Sequence, residues 1–307
     1  MTRKHFKRYV HESLSPSTQA AYSSDLKAFI RWGGKIPATP QLIARYLAKR
    51  AETHKISTLR RHLASIARAH VVKGIDSPTS SPLVRATVRG IMRVHGTKQK
   101  QALPLTLALM RKLGGHVPGV SRLRDARDRA ILLVGFAGGF RRSELAGLCY
   151  GDLKFSSKGV VIRLQVSKTD QYKQGRDVAL VRSNSPLCPV KALSRWITLA
   201  TKRCAIDATT PLFRRIDYND QILDQGLRGQ AIGIILQKRM ETLSIDARGF
   251  SAHSLRSGFV STAAKIGVPL WAIQRQTGHK SVNMVHRYIR GLGVFEKNAS
   301  ASVLNAK

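Results

Sequence analysis

Residues 127–145 read Arg127-Asp128-Arg129-Ala130-Ile131-Leu132-Leu133-Val134-Gly135-Phe136-Ala137-Gly138-Gly139-Phe140-Arg141-Arg142-Ser143-Glu144-Leu145. From Ala130 to Phe140 almost every position is apolar, which is the pattern of a helix buried on all sides. The run is broken by Gly135, Gly138 and Gly139 and is too short for a bilayer, which needs about 20 apolar residues. The spacing predicts a buried helix over 127–140, a Gly-Gly turn, then a short helix from Ser143. Arg141 falls in the turn, and Glu144, three residues on, can reach back to its guanidinium. On its own such a pair is an ordinary helix-terminal ion pair.

Downstream of this stretch the pattern is mixed. Val160 to Val166 and Asp177 to Val181 alternate as strands, with the polar turn Thr169 to Arg176 between them, so a small antiparallel sheet is expected. Helices are expected at Pro189–Ala200, Leu227–Thr242, Ser254–Ile266, Pro269–Gln276 and Ser281–Ile289. Upstream, the apolar pattern stops at Arg93, and His95-Gly96-Thr97-Lys98-Gln99-Lys100-Gln101 leads to Pro104. This reads as a basic linker, dividing the chain into a domain over 1–96, a linker over 97–104 and a second domain over 105–307.

The first domain shows the 3.6-residue rhythm of helices and almost no strand alternation. Ser17 or Thr18 can cap a helix carrying Tyr22, Leu26, Phe29 and Ile30 along one side. Thr39 and Pro40 fit the cap and first position of a second, with Leu42, Ile43, Tyr46 and Leu47 inward. Ser57 opens a third, whose stripe is Leu59, Leu63, Ile66 and Ala67, and Pro82 precedes a fourth carrying Val84, Val88, Ile91 and Met92. Arg60, Arg61 and Arg68 on the third helix, and Arg85, Arg89 and Arg93 on the fourth, point away from these stripes. A solvated face is the usual reading of such arginines, but the scarcity of carboxylate partners favours phosphate contact.

The 307 residues hold 53 Lys+Arg against 17 Asp+Glu, a formal charge of +36. The excess is spread through the chain: residues 1–100 hold 20 basic and 4 acidic side chains, residues 101–307 hold 33 and 13. A polyanion is the natural partner for such a charge, nucleic acid before a membrane surface. With 43% apolar residues the composition is globular and excludes disorder and collagen-like repetition. No membrane-spanning run or secretory signal is read, so a cytoplasmic, nucleoid-associated protein is expected. Cys149, Cys188 and Cys204 lack paired close spacing and are expected to be buried reduced thiols without chemistry.

Three further segments carry groups suited to a phosphodiester. Lys168, in Val166-Ser167-Lys168-Thr169-Asp170, enters the expected hairpin and can offer a proton to a leaving oxygen. His253 and Arg256, in Ser251-Ala252-His253-Ser254-Leu255-Arg256, share a helix face beside a helix N-terminus that favours anions. His279 lies in the turn Gln276-Thr277-Gly278-His279-Lys280-Ser281, and Tyr288 follows nine residues later. A metal site made of His253, His279 and His286 has no i,i+4 histidine pair and no carboxylate or thiolate companion, so no metal or cofactor is expected.

Taken together, Arg141, Lys168, His253 with Arg256, His279 and Tyr288 stand in an order and spacing that resembles the tyrosine recombinases of the phage integrase family, of Xer and Cre type. Arg-x-Ser-Glu-Leu at 141–145, His-x-x-Arg at 253–256, Gly-His at 278–279 and the step to Tyr288 carry the likeness. Ser15, Thr18, Tyr22, Asp25, Leu26 and Phe29 also resemble the opening helix of the family's core-binding domain. The resemblance implies a mainly α fold with a small antiparallel β-sheet: a helical, SAM-like core-binding domain and an α+β catalytic domain with a C-terminal tail. It implies a site-specific recombinase that cuts and rejoins duplex DNA through a 3′-phosphotyrosyl intermediate for integration, excision or resolution of a mobile element. Tyr288 would be the nucleophile, and Arg141 and Arg256 would stabilise the transition state. Lys168 would protonate the 5′ oxygen, His253 would assist proton transfer at the tyrosine and His279 would donate to the phosphate, with Glu144 orienting the cations. A homo-tetramer on two DNA sites, with accessory DNA-bending proteins, belongs to the same expectation. A type IB topoisomerase and a catalytically idle DNA-binding protein are the alternatives the residues leave open.

Overall fold

The computed structural model describes Tyr9 and residues 12–97, 101–117, 119–165, 175–289 and 304, the side chains of Arg287 and Ile289 excepted. The chain gathers into two compact units, 1–100 and 101–307.

The first unit is helical: α1 (Pro16–Arg31), α2 (Pro40–Ala51), α3 (Ile56–Val72), a 3₁₀ turn at Pro78–Ser80 and α4 (Pro82–His95). Phe29, Ile43, Tyr46, Leu47, Leu59, Ile66 and Val84 make its core, all essentially without solvent contact. Three helix starts differ from the expectation. Ser15, not Ser17 or Thr18, caps α1, because Pro16 takes the first helical position and leaves the Ser15 hydroxyl to accept from the Thr18 N–H. Helix α3 starts at Ile56 behind Lys55, with no side-chain cap, and Pro82 sits within α4 behind the Ser81 cap. On α1 the buried face includes Asp25, while Ile30 is exposed.

Asp25 explains that inversion. Its carboxylate accepts from Arg61 Nε and Nη2 at 2.7 and 2.9 Å and lies 3.2 Å from His62 Nε2, and His62 Nδ1 meets the Tyr46 hydroxyl at 2.6 Å. A buried carboxylate is tolerable because each of its oxygens is engaged. Arg61 therefore has the carboxylate partner that the sequence reading denied it. Arg60 reaches Met92 Sδ at 3.2 Å and Arg68 the Ser13 hydroxyl at 3.4 Å, whereas Arg85, Arg89 and Arg93 lie exposed along α4.

The second unit is built on α6 (Arg122–Gly138), preceded by α5 (Leu107–Leu113) and followed by α7 (Arg142–Ala146) and a 3₁₀ turn at Tyr150–Asp152. Ile131, Leu132, Leu133 and Val134 on α6 are all buried, which is why the helix is apolar all round. They pack with Val190, Leu193 and Trp196 of α8 (Pro189–Thr201) and with the sheet β1 (Leu153–Phe155), β2 (Gly159–Leu164) and β3 (Arg176–Val181) in one core. The sheet is antiparallel in the order β1-β2-β3, with Ile162 opposite Val178. A second hairpin, β4 (Arg214–Ile216) with β5 (Ile222–Gly226), was not legible in the sequence, nor were β1 and α5. Helices α9 (Gly229–Thr242), α10 (His253–Lys265), α11 (Leu270–Thr277) and α12 (Val282–Ile289) complete the unit. Among the described residues no helix is long and apolar enough to cross a membrane. The three cysteines are free, but only Cys188 is buried; Cys149 and Cys204 are half-exposed.

Candidate active site

Four local devices bring the candidate residues to one place. Helix α6 ends at Gly139, a left-handed cap, and Arg141 follows as the residue before α7. Its backbone N–H donates to Glu144 Oε2 at 2.9 Å and its Nη1 to Glu144 Oε1 at 2.5 Å, so the carboxylate both caps the helix and fixes the guanidinium. Helix α10 opens at His253, where Ser251 Oγ accepts the His253 N–H and Ser254 Oγ accepts the Ser251 N–H. The i,i+3 step then carries Arg256 to the same face. Helix α11 ends at Gly278, left-handed at φ +65°, which turns the chain so that His279 faces back into the unit. Helix α12 returns Tyr288 to the mouth of α10.

Arg141, Arg142, Ser143, Ser251, His253, Arg256, His279, Met284 and Tyr288 line a cavity of about 390 Å³. The Tyr288 hydroxyl lies 2.9 Å from His253 Nε2, and its ring is 5.6 Å from that of His279. Arg256 is 2% exposed; its Nη1 donates to Gly139 O and Thr277 O at 2.6 and 2.7 Å, while its Nη2 is buried with no hydrogen-bond partner among the described residues. A buried guanidinium donor without a partner is uncommon, and it belongs to a residue that lines the cavity.

The electrostatics follow from crowding cations in a confined space. Burial, and then Arg141, push the Arg256 guanidinium down to about 10, still charged at neutral pH. Burial holds His253 below its ordinary value, with Arg256, Arg141 and Arg142 adding to the effect. His279 is pushed down to about 3 by burial first and then by Arg256 and Arg141. Both rings are therefore neutral in the free chain. Thr277 Oγ1 donates to Ile273 O at 2.7 Å and lies 2.6 Å from His279 Nδ1. Its single proton being spent, it accepts from Nδ1–H, which leaves His279 Nε2 without a proton.

Five of the six expected catalytic residues thus share one cavity, with Glu144 directly beneath Arg141. Lys168 lies outside the described residues, as does most of the tail after Tyr288. His286 is exposed, and among the described residues no group of three His, Cys, Asp or Glu side chains could hold a metal ion. Sequence reasoning missed Arg142 at the rim, Thr277 behind His279, and Arg176. Arg176 donates to Gln276 O at 2.8 Å and to Glu144 Oε2 at 3.4 Å. Only the pairing of β3 against the end of α11 reveals Arg176; in a chain with 53 basic residues its type alone carries no signal.

The second unit thus gathers three guanidinium groups, two imidazoles and a tyrosine hydroxyl around one cavity. The phage integrase family profile matches residues 119–292, and the chain belongs to that family. Over 311 aligned residues it is 33% identical to the integrase/recombinase xerD homolog of Selenomonas ruminantium, covering 97% of this chain and 89% of that protein. It is 26% identical to recombinase cre of Escherichia phage P1, covering 83% and 77%. Among solved structures, the Tn1549 transposon integrase in complex with transposon right end DNA matches with a TM-score of 0.67 at 16% identity, covering 95% of both chains. A lambda integrase dimer bound to a COC′ core site matches with a TM-score of 0.62 at 17% identity, covering 95% and 97%. These structural likenesses establish the fold.

Proposed function

We propose that this chain is a site-specific recombinase in which Tyr288 cuts duplex DNA and stores the broken bond as a phosphotyrosine. The observation that carries the reading is the Tyr288 hydroxyl held against His253 Nε2 in the same cavity as Arg141 and Arg256. Neutral His253 takes the phenolic proton as the oxygen attacks phosphorus. The Tyr288 O–P bond forms, the P–O5′ bond breaks, and Lys168 supplies the proton that the departing 5′ oxygen needs. A 5′ hydroxyl from another strand later attacks the phosphotyrosine, and rejoining reverses each step.

Charge gathers on the non-bridging oxygens in the transition state. Arg141 and Arg256 are fixed cations suited to it, already oriented by Glu144 and by backbone carbonyls. Removing one such donor costs about 10²- to 10³-fold in rate. Glu144 acts through Arg141 without touching the phosphate. Cations from side chains supply the charge stabilisation, so the chemistry runs without a divalent metal.

The relatives are named as recombinases and integrases, which favours strand exchange over relaxation of supercoils. On this reading residues 1–96 form the core-binding domain, 97–104 the linker and 105–307 the catalytic domain. Arg60, Arg68, Arg85, Arg89 and Arg93 supply phosphate contacts; Arg61, committed to Asp25, contributes less. Contacts from both units give steep salt dependence, roughly −0.9 in log K per neutralised phosphate. A tetramer on two sites, aided by DNA-bending proteins, would integrate, excise or resolve a mobile element on the nucleoid.

The test is covalent capture: nicked duplexes with a randomised core are incubated with the chain, and DNA bound through denaturation is sequenced. An enriched core with the wild-type chain, lost with Tyr288→Phe, is the expected result. Capture that persists in the phenylalanine variant sinks the assignment.

A further inference from the structure

Helix α11 ends on three consecutive carbonyls, and each accepts from a different arginine. Gln276 O receives Arg176 Nη1 at 2.8 Å, Thr277 O receives Arg256 Nη1 at 2.7 Å, and Gly278 O receives Arg141 Nη2 at 3.3 Å. The last carbonyls of a helix have no intrahelical partner and carry its partial negative charge, so they are natural acceptors for cations. The Gln276 side chain fastens the same turn by donating to Ala137 O and Ala179 O at 3.1 and 3.2 Å. One turn of backbone thus organises the guanidinium groups of the site.

Two of the three arginines line the cavity. Arg176 does not; it reaches the turn from outside, from the first residue of β3. Its other bond goes to Glu144 Oε2, the oxygen that also receives the Arg141 backbone N–H. Gly278 lies directly on its guanidinium, where a Cβ would come within 2.7 Å of Nε and 2.9 Å of Cζ. Arg176 therefore touches both walls of the cavity: Glu144, which fixes Arg141, and the turn that delivers His279.

We propose that Arg176 is a positioning residue for strand cleavage, a planar strut between Glu144 and the Gln276 carbonyl that sets the spacing of Arg141 from His279. The inference rests on the recombinase reading above. Without the strut, Glu144 Oε2 keeps only the Arg141 backbone N–H, and the Gln276 carbonyl loses its charged donor. The two walls are then free to shift, and a displacement of about 1 Å at a reacting centre costs about 10²-fold in rate. A lysine does not replace the strut, because one ammonium cannot hold two acceptors in a fixed planar fork.

The experiment measures single-turnover formation of the covalent complex by the full chain on a nicked duplex captured by the wild-type protein. Arg176→Gln and Arg176→Lys are compared with wild type, each also in a Glu144→Gln background, with DNA affinity and thermal midpoint measured alongside. The wild-type complex tests the parent reading in the same tubes, so a loss confined to the variants bears on Arg176 alone. We expect both Arg176 variants to cleave about 10- to 10²-fold more slowly with affinity within about threefold of wild type. In the Glu144→Gln background the Arg176→Gln change should cost at least fivefold less than it does alone, because the two residues act through one bond network. Cleavage at the wild-type rate in either Arg176 variant overturns the proposal. So do losses that multiply in full in the double variant, or rates restored by lysine.

Discussion

The Tyr288 hydroxyl and His253 Nε2 are joined at 2.9 Å across 35 positions of the chain. The link ties α12 to the first residue of α10, so the proposed nucleophile and its proposed proton acceptor come from two elements that meet in one small core of Val260, Ala263, Ile273 and Val285. In the free chain the proposed base is already within reach of the proton it would take, a requirement of geometry that precedes any matching of pKa. His253→Asn shortens the side chain and removes the base while leaving the tyrosine in place. Formation of the covalent complex should fall about 10²- to 10⁴-fold with DNA affinity unchanged. A rate within twofold of wild type, read on a denaturing gel, would remove His253 from the proton path.

The acid limb of the pH–rate profile should report the same histidine. Burial first, then Arg256, Arg141 and Arg142, hold His253 below the ordinary histidine value of 6.5. The neutral ring is the form that accepts a proton, so cleavage should persist as pH falls through 6.5 and fail only below it. Arg142 is an exposed rim residue, and Arg142→Gln removes one of the cations that oppose protonation. The acid limb should then move upward, toward 6.5, when rates are measured with DNA far below saturation, where the limb reports the free protein. An unmoved limb, or one displaced to lower pH, would contradict this electrostatic account.

Local chemistry decided how much of this was legible in the sequence. The Arg141–Glu144 pair, the His253–Arg256 step and the Gly278 turn are each set by residues three or four apart, and sequence spacing encodes such relationships directly. Helix α6 was legible because its apolar run, Ala130 to Phe140, is longer than a buried strand usually is and so points to a helix enclosed on all sides. Arg176 was not, since its partners Gln276 and Glu144 lie 100 and 32 positions away. The burial of Asp25 was not legible for the same reason: Arg61, which holds its carboxylate, lies 36 positions on. Strands β1 and β4 of three residues each are shorter than the alternation that would announce them.

His279 should take up a proton when DNA binds. Its ring is pushed down to about 3 by burial, then by Arg256 and Arg141, and its Nδ1–H is given to Thr277. To donate from Nε2 to a phosphate oxygen, the role that the family resemblance implies for it, the ring must gain a proton, and the arriving negative charge favours that form. A depressed pKa raised by the ligand means binding consumes protons, increasingly so as pH falls toward the bound value. Calorimetry in buffers of different ionisation enthalpy should show uptake with the wild-type chain that is absent in His279→Gln. The same buffer dependence for both proteins would mean that His279 stays neutral on the DNA.

Gly278 separates backbone strain from damage to the site. It lies at φ +65°, where an L side chain costs about 1–2 kcal/mol, and a Cβ there would also meet the Arg176 guanidinium at 2.7 Å. Gly74, after α3, has φ +69° with nothing within 4 Å of a Cβ, so Gly74→Ala carries the strain alone. Both alanine variants should lower the thermal midpoint by a few degrees, as about 1 kcal/mol does in a chain of this size. Only Gly278→Ala should also slow covalent-complex formation, because its Cβ pushes Arg176 off Glu144 and turns the carbonyl that Arg141 holds. If the two variants lose stability alike and both cleave at the wild-type rate, the end of α11 does not govern the geometry of the arginines.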